Sequence, residues 1–260
     1  MDKTRSSDGT DIAFDRLGEG RPVILVSGAT CTRAVHAPLA ELLAADFTML
    51  NYDRRGRGDS GDTLPYGVER EIDDLGAVIA AVGEPAAVFG NSSGAVLALR
   101  AAADGLPITK LALWDPPFMV DDDAPRRQRE YVTQLTALLD AGRRGDAVAL
   151  FMTTIGLPHE MISGMRQSPM WPGLEALAHT LAYDAAVMGD STLPTDLAAS
   201  VRIPALILTG SDSGAWAANA AQALTSALPT AQHRTLDGQN HAVAWDALAP
   251  ELKEHFSRSA

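Results

Sequence analysis

The chain has 260 residues, enough to bury a full core as one domain with room for an inserted segment. Its formal net charge of -12 argues against a nucleic-acid or anionic-membrane partner, since both require clustered Lys and Arg. Cys31 is the only cysteine, which excludes an intrachain disulfide and a Cys-rich zinc site.

The first residues, "MDKTRSSDGTD", lack the apolar core of a secretion signal, and no window holds the ~18 uninterrupted apolar residues of a membrane span. A cytoplasmic location is therefore expected. "TRSSDGTDIAFDRLG" reads as two short strands around an Asp8-Gly9 turn. "PVILVSG" (22–28) is an apolar run stopped by glycine, as in a strand buried on both faces. "APLAELLAADF" has helical leucine spacing, "FTMLNYD" (47–53) is a strand, and residues 68–82 form the next helix. "AAVFG" then reads as strand, "GAVLALRAAAD" as helix and "ITKLALWD" (108–115) as strand. Late in the chain, "IPALILTG" (203–210) and "AQHRTLDG" (231–238) are strands around the helix "WAANAAQALTSAL", and a last helix holds "LAPELKEHF".

Strands alternating with helices imply right-handed crossovers and a mostly parallel sheet. Residues 119–198 break that rhythm with helical segments such as "RRQREYVTQLTALLDAGRRG" and "GLEALAHTLAYDAAVMG". The expected organisation is an α/β core over 1–118 and 199–260, with a helical cap inserted at 119–198.

Gly90-Asn91-Ser92-Ser93-Gly94 is a G-x-S-x-G at a strand-to-helix junction. A sharp turn there strains the serine backbone and projects its hydroxyl above the sheet, while the glycines let strand and helix approach. It also frees the Ser93 N–H to meet an oxyanion at a helix N-terminus. A serine hydroxyl needs a base. Of six histidines, His241 alone lies in a loop just beyond the last strand, at the sheet edge that Ser92 occupies. The orienting acid has two candidates. Asp212, after the penultimate strand, is the first choice, and Asp115, after the strand that follows the serine's, is the alternative. The second oxyanion donor is expected from the loop after the first core strand, at the Ala29 N–H. Cys31 reads as a buried structural thiol.

Taken together, "VSGAT", "YDRRGRGDSG", "FGNSSGA", "LTGSDSG" and "LDGQNHAVAW" resemble the α/β-hydrolase superfamily over nearly the whole chain outside the cap. The resemblance implies an eight-stranded, mostly parallel sheet, a cap above the site, and a triad of Ser92, His241 and an acid without cofactor or metal. The loop Asp53-Arg54-Arg55-Gly56-Arg57-Gly58-Asp59-Ser60 matches one that is usually structural in that family, so it receives no catalytic role. Three positions depart from the pattern. Ser27 stands where a histidine commonly precedes the oxyanion-loop glycine. Ser213 holds the usual place of the acid, with Asp212 one residue short. Asn91 before the serine resembles the "GNS" of carbon–carbon bond hydrolases.

The expected chemistry is hydrolysis of an ester, lactone or related carbonyl bond. The alternatives are non-hydrolytic chemistry on the same fold, such as carbon–carbon cleavage or lyase reactions, and a ligand-binding role without catalysis. Six of the eight methionines fall between 119 and 188, with Trp171 among them. Met119, Met152, Met170 and Trp171 are the candidates for a pocket taking a small hydrophobic substrate. The composition is compatible with a homo-oligomer.

Overall fold

The computed structural model describes residues 1–258. β1 (Asp2–Arg5) and β2 (Asp11–Leu17) pair antiparallel across the expected turn, where the Thr10 N–H donates to Asp8 Oδ1 at 3.0 Å. Next come β3 (Arg21–Val26), α1 (Ala37–Leu43), β4 (Phe47–Tyr52), α2 (Val68–Val82), β5 (Ala86–Asn91), α3 (Ser93–Ala103) and β6 (Ile108–Trp114). Helices alone then fill the chain up to the next strand: α4 (Ala124–Asp140), α5 (Arg144–Thr154), α6 (His159–Arg166), α7 (Trp171–Ala176), α8 (Thr180–Met188) and α9 (Thr195–Ser200). β7 (Ala205–Gly210), α10 (Ala215–Ala227), β8 (Ala231–Leu236) and α11 (Trp245–Ser257) complete the fold.

The strands form one eight-stranded sheet in the order β1-β2-β4-β3-β5-β6-β7-β8. Only β2 runs against its neighbours; from β4 through β8 every pairing is parallel. The inner parallel strands β3, β5 and β7 are mostly apolar and buried because helices cover both faces of the sheet there, whereas the edge strand β8 is largely polar and exposed. Period-two alternation sends Ile24 and Val26 to one face, where they pack with α2, α3 and α10. Val23 and Leu25 go to the other face, against α1 and α11.

The helices between β6 and β7 carry a third hydrophobic cluster of their own, built on Tyr131, Leu135, Val148, Met152, Trp171 and Leu181. Ala29, just after β3, packs against it, so this cluster reaches the loop expected to bind the oxyanion. An isolated bridge between Met119 and Thr192 ties the two ends of the insertion together. The single helix expected across 173–189 is two helices, α7 and α8. Arg144 donates to the carbonyls of Glu175 and Ala176 at 2.8 Å each, taking acceptors that a continuous helix would use. α9 belongs to the sheet side, since Ala198 is buried in the cluster beneath α3 and α10.

Two glycines fix how α3 meets the sheet. A Cβ on Gly94 would lie 2.3 Å from the Val26 carbonyl oxygen, and one on Gly90 would lie 2.5 Å from the Gly94 oxygen. Both obstacles are backbone, so neither can swing aside. Replacing Gly94 by alanine is expected to destabilise the fold by about 1–3 kcal/mol. A domain of this length loses about 2–4 °C of Tm per kcal/mol. Thermal unfolding followed by circular dichroism checks this; an unchanged Tm would show that α3 is free to move off β3.

Candidate active site

Parallel register brings the site together. Asn91 pairs with Trp114 at the ends of β5 and β6, so Ser92 and Asp115 each stand one residue beyond adjacent strand ends. The Ser92 N–H donates to the Trp114 carbonyl at 3.0 Å, and the Asp115 N–H to the Leu208 carbonyl at 2.9 Å. Both residues have left-handed backbones, φ 54° at Ser92 and φ 41° at Asp115. A positive φ in a non-glycine residue is costly and persists only where the surroundings enforce it. At Ser92 (ψ -128°) the strain is that of a sharp strand-to-helix turn, as the spacing of small residues requires.

His241 lies five residues past β8, its loop pinned by a hydrogen bond from Trp114 Nε1 to the His241 carbonyl at 3.2 Å. Its imidazole meets the Trp216 ring edge-on, with centroids 5.6 Å apart. Nδ1 stands 3.1 Å from Asp115 Oδ2. A carboxylate only accepts, so this contact assigns the proton to Nδ1 and leaves Nε2 with its lone pair facing outward from the pair. No hydrogen bond joins Ser92 Oγ to His241 among the described residues; such contacts often tighten only when substrate binds.

Asp115, not the favoured Asp212, is the acid beside the histidine. Asp212 is exposed, and its carboxylate accepts from the neighbouring Ser211 hydroxyl at 3.1 Å. The reason is the turn after β7. A Cβ on Gly210 would lie 2.1 Å from the Gln239 oxygen, so the two loops meet backbone to backbone there. The Asp212 N–H then donates to Gln239 O at 2.8 Å. The side chain at 212 faces water and the one at 213 faces inward. Ser213, at the place usual for the acid, donates its hydroxyl to Asp115 Oδ2 at 2.6 Å. Asp115 is fully buried with these two partners on one oxygen, while Oδ1 has none.

The loop after β3 faces the elbow directly. A Cβ on Gly28 would sit 3.0 Å from Ser92 Cβ, so the chain passes against the serine there. Neither the Ala29 nor the Ser93 N–H donates a hydrogen bond among the described residues. Asn91 is held from behind by His36, whose Nε2 lies 3.0 Å from Asn91 Oδ1. Burial pushes the His36 pKa down to about 4, so its ring is neutral. Cys31 is no rival nucleophile, because burial raises its thiol pKa.

Beneath this loop lies a cluster that sequence reasoning left without a role. Arg54, fully buried, forks onto Glu71 at 2.5 and 3.1 Å and reaches Asp184 Oδ1 at 2.8 Å. Arg57 holds both Asp184 oxygens at 2.9 Å. Asp184, on α8, also accepts from Ser93 Oγ at 2.7 Å. Burial alone would raise the Asp184 pKa, but Arg57 and Arg54 outweigh it and hold the carboxyl below its usual range.

The four candidate pocket residues differ in their surroundings. Met170 is 69% exposed. Met152 and Trp171 are buried within the insertion's own cluster, where Trp171 Nε1 donates to Glu175 at 2.9 Å. Met119 is half-buried beside the bridge to Thr192. Of the six methionines between 119 and 188, Met152 and Met165 pack in the insertion's own cluster and Met188 against the sheet-side one, whereas Met161 and Met170 are exposed. No group of three or more His, Cys, Asp or Glu among the described residues is placed to hold a metal ion. Among the described residues, no helix is long and apolar enough to cross a membrane.

Comparison with known proteins shows the family to which this fold belongs. The sequence profile of the alpha/beta hydrolase family matches residues 23–251. The chain is 30% identical to N-formylmaleamate deformylase of Pseudomonas putida, over 89% of this chain and 85% of that protein. It is 31% identical to pimeloyl-[acyl-carrier protein] methyl ester esterase of Xanthomonas campestris, over 88% and 91% of the two. The crystal structure of an alpha/beta hydrolase from Sphaerobacter thermophilus superposes with a TM-score of 0.92 at 57% identity, covering 98% of this chain and 100% of that one. On the eight-stranded sheet, the profile match and these relatives, the chain belongs to the alpha/beta hydrolase family.

Proposed function

We propose that the protein is a serine hydrolase acting on an ester, lactone or related carbonyl bond of a small hydrophobic substrate. Ser92 is the nucleophile, His241 the general base and Asp115 the acid that orients it. The observation that carries this reading is the 3.1 Å contact between His241 Nδ1 and buried Asp115, one register step from a strained serine elbow. The activities of the two sequence relatives, a deformylase and a methyl ester esterase, support hydrolysis at an acyl carbon.

In the first half-reaction Ser92 Oγ adds to the carbonyl carbon as its proton passes to His241 Nε2. The carbonyl π pair moves onto oxygen, and the resulting oxyanion is received by the free N–H groups of Ala29 and Ser93. Collapse of the intermediate re-forms the carbonyl and breaks the bond to the leaving group, which takes the proton from His241. Water then attacks the acyl-serine by the same route, releasing the acid and restoring Ser92. Asp115 stays ionised throughout, fixing the tautomer and stabilising the transient imidazolium. The preference for a hydrophobic acyl group rests on the insertion's apolar cluster, which packs against Ala29 at the mouth of the oxyanion loop.

Two measurements on purified protein with p-nitrophenyl butyrate test this. Ser92→Ala is expected to lose on the order of 10⁶ in kcat, whereas activity within tenfold of wild type would refute the nucleophile. For the acid, Asp115→Asn is expected to lower kcat by roughly 10⁴ while Asp212→Asn leaves it unchanged. The reverse pattern would return the role to Asp212. Product formed in ¹⁸O-labelled water must carry solvent oxygen in its carboxylate; an unlabelled product would point to non-hydrolytic chemistry instead.

A further inference from the structure

We infer that Arg57 is a positioning residue for the oxyanion site, held in place by Asp184 from the inserted helices; this rests on the serine-hydrolase reading above. Arg57 Nη1 donates to the Gly28 carbonyl at 2.6 Å. That carbonyl and the Ala29 N–H belong to one planar peptide group, pointing in opposite directions. Fixing the oxygen on one side therefore fixes the direction of the N–H on the other. A charged donor on the oxygen also polarises the amide, which strengthens the N–H as a donor. The neighbouring carbonyl, Ser27, is held in the same way by Arg54 Nη1 at 3.2 Å.

The second oxyanion donor is tied to the same charges. Ser93 contributes its N–H to the site, and its hydroxyl donates to Asp184 Oδ1 at 2.7 Å. Arg57 holds both oxygens of Asp184, and Arg54 shares Oδ1. One carboxylate on α8 thus braces the two peptide groups that receive negative charge, through Arg57 on one side and Ser93 on the other. The guanidinium fork suits this role because it places two donors in one plane, one for Gly28 and one for Asp184. Lysine offers a single point of charge and cannot copy it. The four buried charges, Arg54, Arg57, Glu71 and Asp184, sum to zero, so the cluster is self-neutralised.

The function of such bracing is electrostatic preorganisation, which acts on the transition state and not on the bound substrate. The test compares wild type with Arg57→Met and with the charge-balanced Arg57→Met/Asp184→Asn. The double variant removes one charge of each sign and so keeps the core neutral if the single variant fails to fold. Each folded variant is assayed for kcat and KM on p-nitrophenyl butyrate and for inhibition by phenylboronic acid. The boronic acid adds to the serine oxygen to give a tetrahedral anion in the oxyanion site, with the serine proton passing to the histidine. A misdirected donor is expected to lower kcat about 10²-fold. KM should stay near the wild-type value and the boronate Ki should rise in parallel with the loss of kcat. A purely structural role would lower Tm and leave the kcat of the folded fraction and the Ki unchanged, and that result overturns the inference. Ser92→Ala in the same assays separates the two claims. If it abolishes turnover while the Arg57 variants behave as wild type, only the positioning role falls; if it retains turnover, the hydrolase reading falls first.

Discussion

The site depends on the parallel register of β5 through β8. That register carries Ser92, Asp115, Ser213 and His241, drawn from loops spread over some 150 residues of sequence, to a single edge of the sheet. No side-chain contact needs to search for its partner across the molecule, because the backbone ladder has already set the strand ends level. The hydrogen bonds from Ser92 N–H to Trp114 O and from Asp115 N–H to Leu208 O extend the ladder one residue beyond the strands. The strained backbones at Ser92 and Asp115 are therefore held by the sheet itself. Gly90 and Gly94 complete the arrangement by letting α3 lie directly on the end of β3.

Around this edge, buried polar groups are handled in two distinct ways. Asp115 is neutralised by neither arginine nor lysine; its Oδ2 takes a neutral hydroxyl from Ser213 and the imidazole of His241. A carboxylate so placed accepts from Nδ1 and leaves Nε2 as the imidazole's free nitrogen, the arrangement the proposed base needs. Arg54 and Arg57 are instead sealed in a neutral cluster with Glu71 and Asp184. Buried ion pairs add little net stability, since desolvation offsets most of the attraction. Their retention directly beneath Gly28 and Ser93 is explained better by orientation than by stability.

Much of this was legible in the sequence. The alternation of apolar runs and helical spacing put the strands in their right places, and α2 spans the residues 68–82 read as helix. The serine elbow was recognisable because glycine two places either side of Ser92 answers a local steric demand. The carboxylate that stands beside His241 was not, because chain order admits both Asp212 and Asp115, and the contact turns on which way one loop faces. A signal was present in Ser213. A hydroxyl donor at the place usual for the acid needs an acceptor opposite, and Asp115 is the buried carboxylate that provides it. The arginine cluster was opaque for a different reason. Arg57 and Asp184 are 127 residues apart, and nothing local to either reports the other. The methionine-rich insertion is ambiguous in sequence because flexible apolar side chains serve helix packing as readily as ligand binding.

Catalysis of the proposed kind requires Ser92, His241 and Asp115 to converge around one reacting carbonyl. A crystal structure of the protein after reaction with a p-nitrophenyl phosphonate tests that convergence most directly. The expected result is phosphorus bonded to Ser92 Oγ, one phosphonyl oxygen within hydrogen-bond distance of the Ala29 and Ser93 N–H groups, and His241 Nδ1 still bonded to Asp115. Phosphorus on another residue, or a Ser92 adduct with its oxygen turned away from both amides, would contradict it.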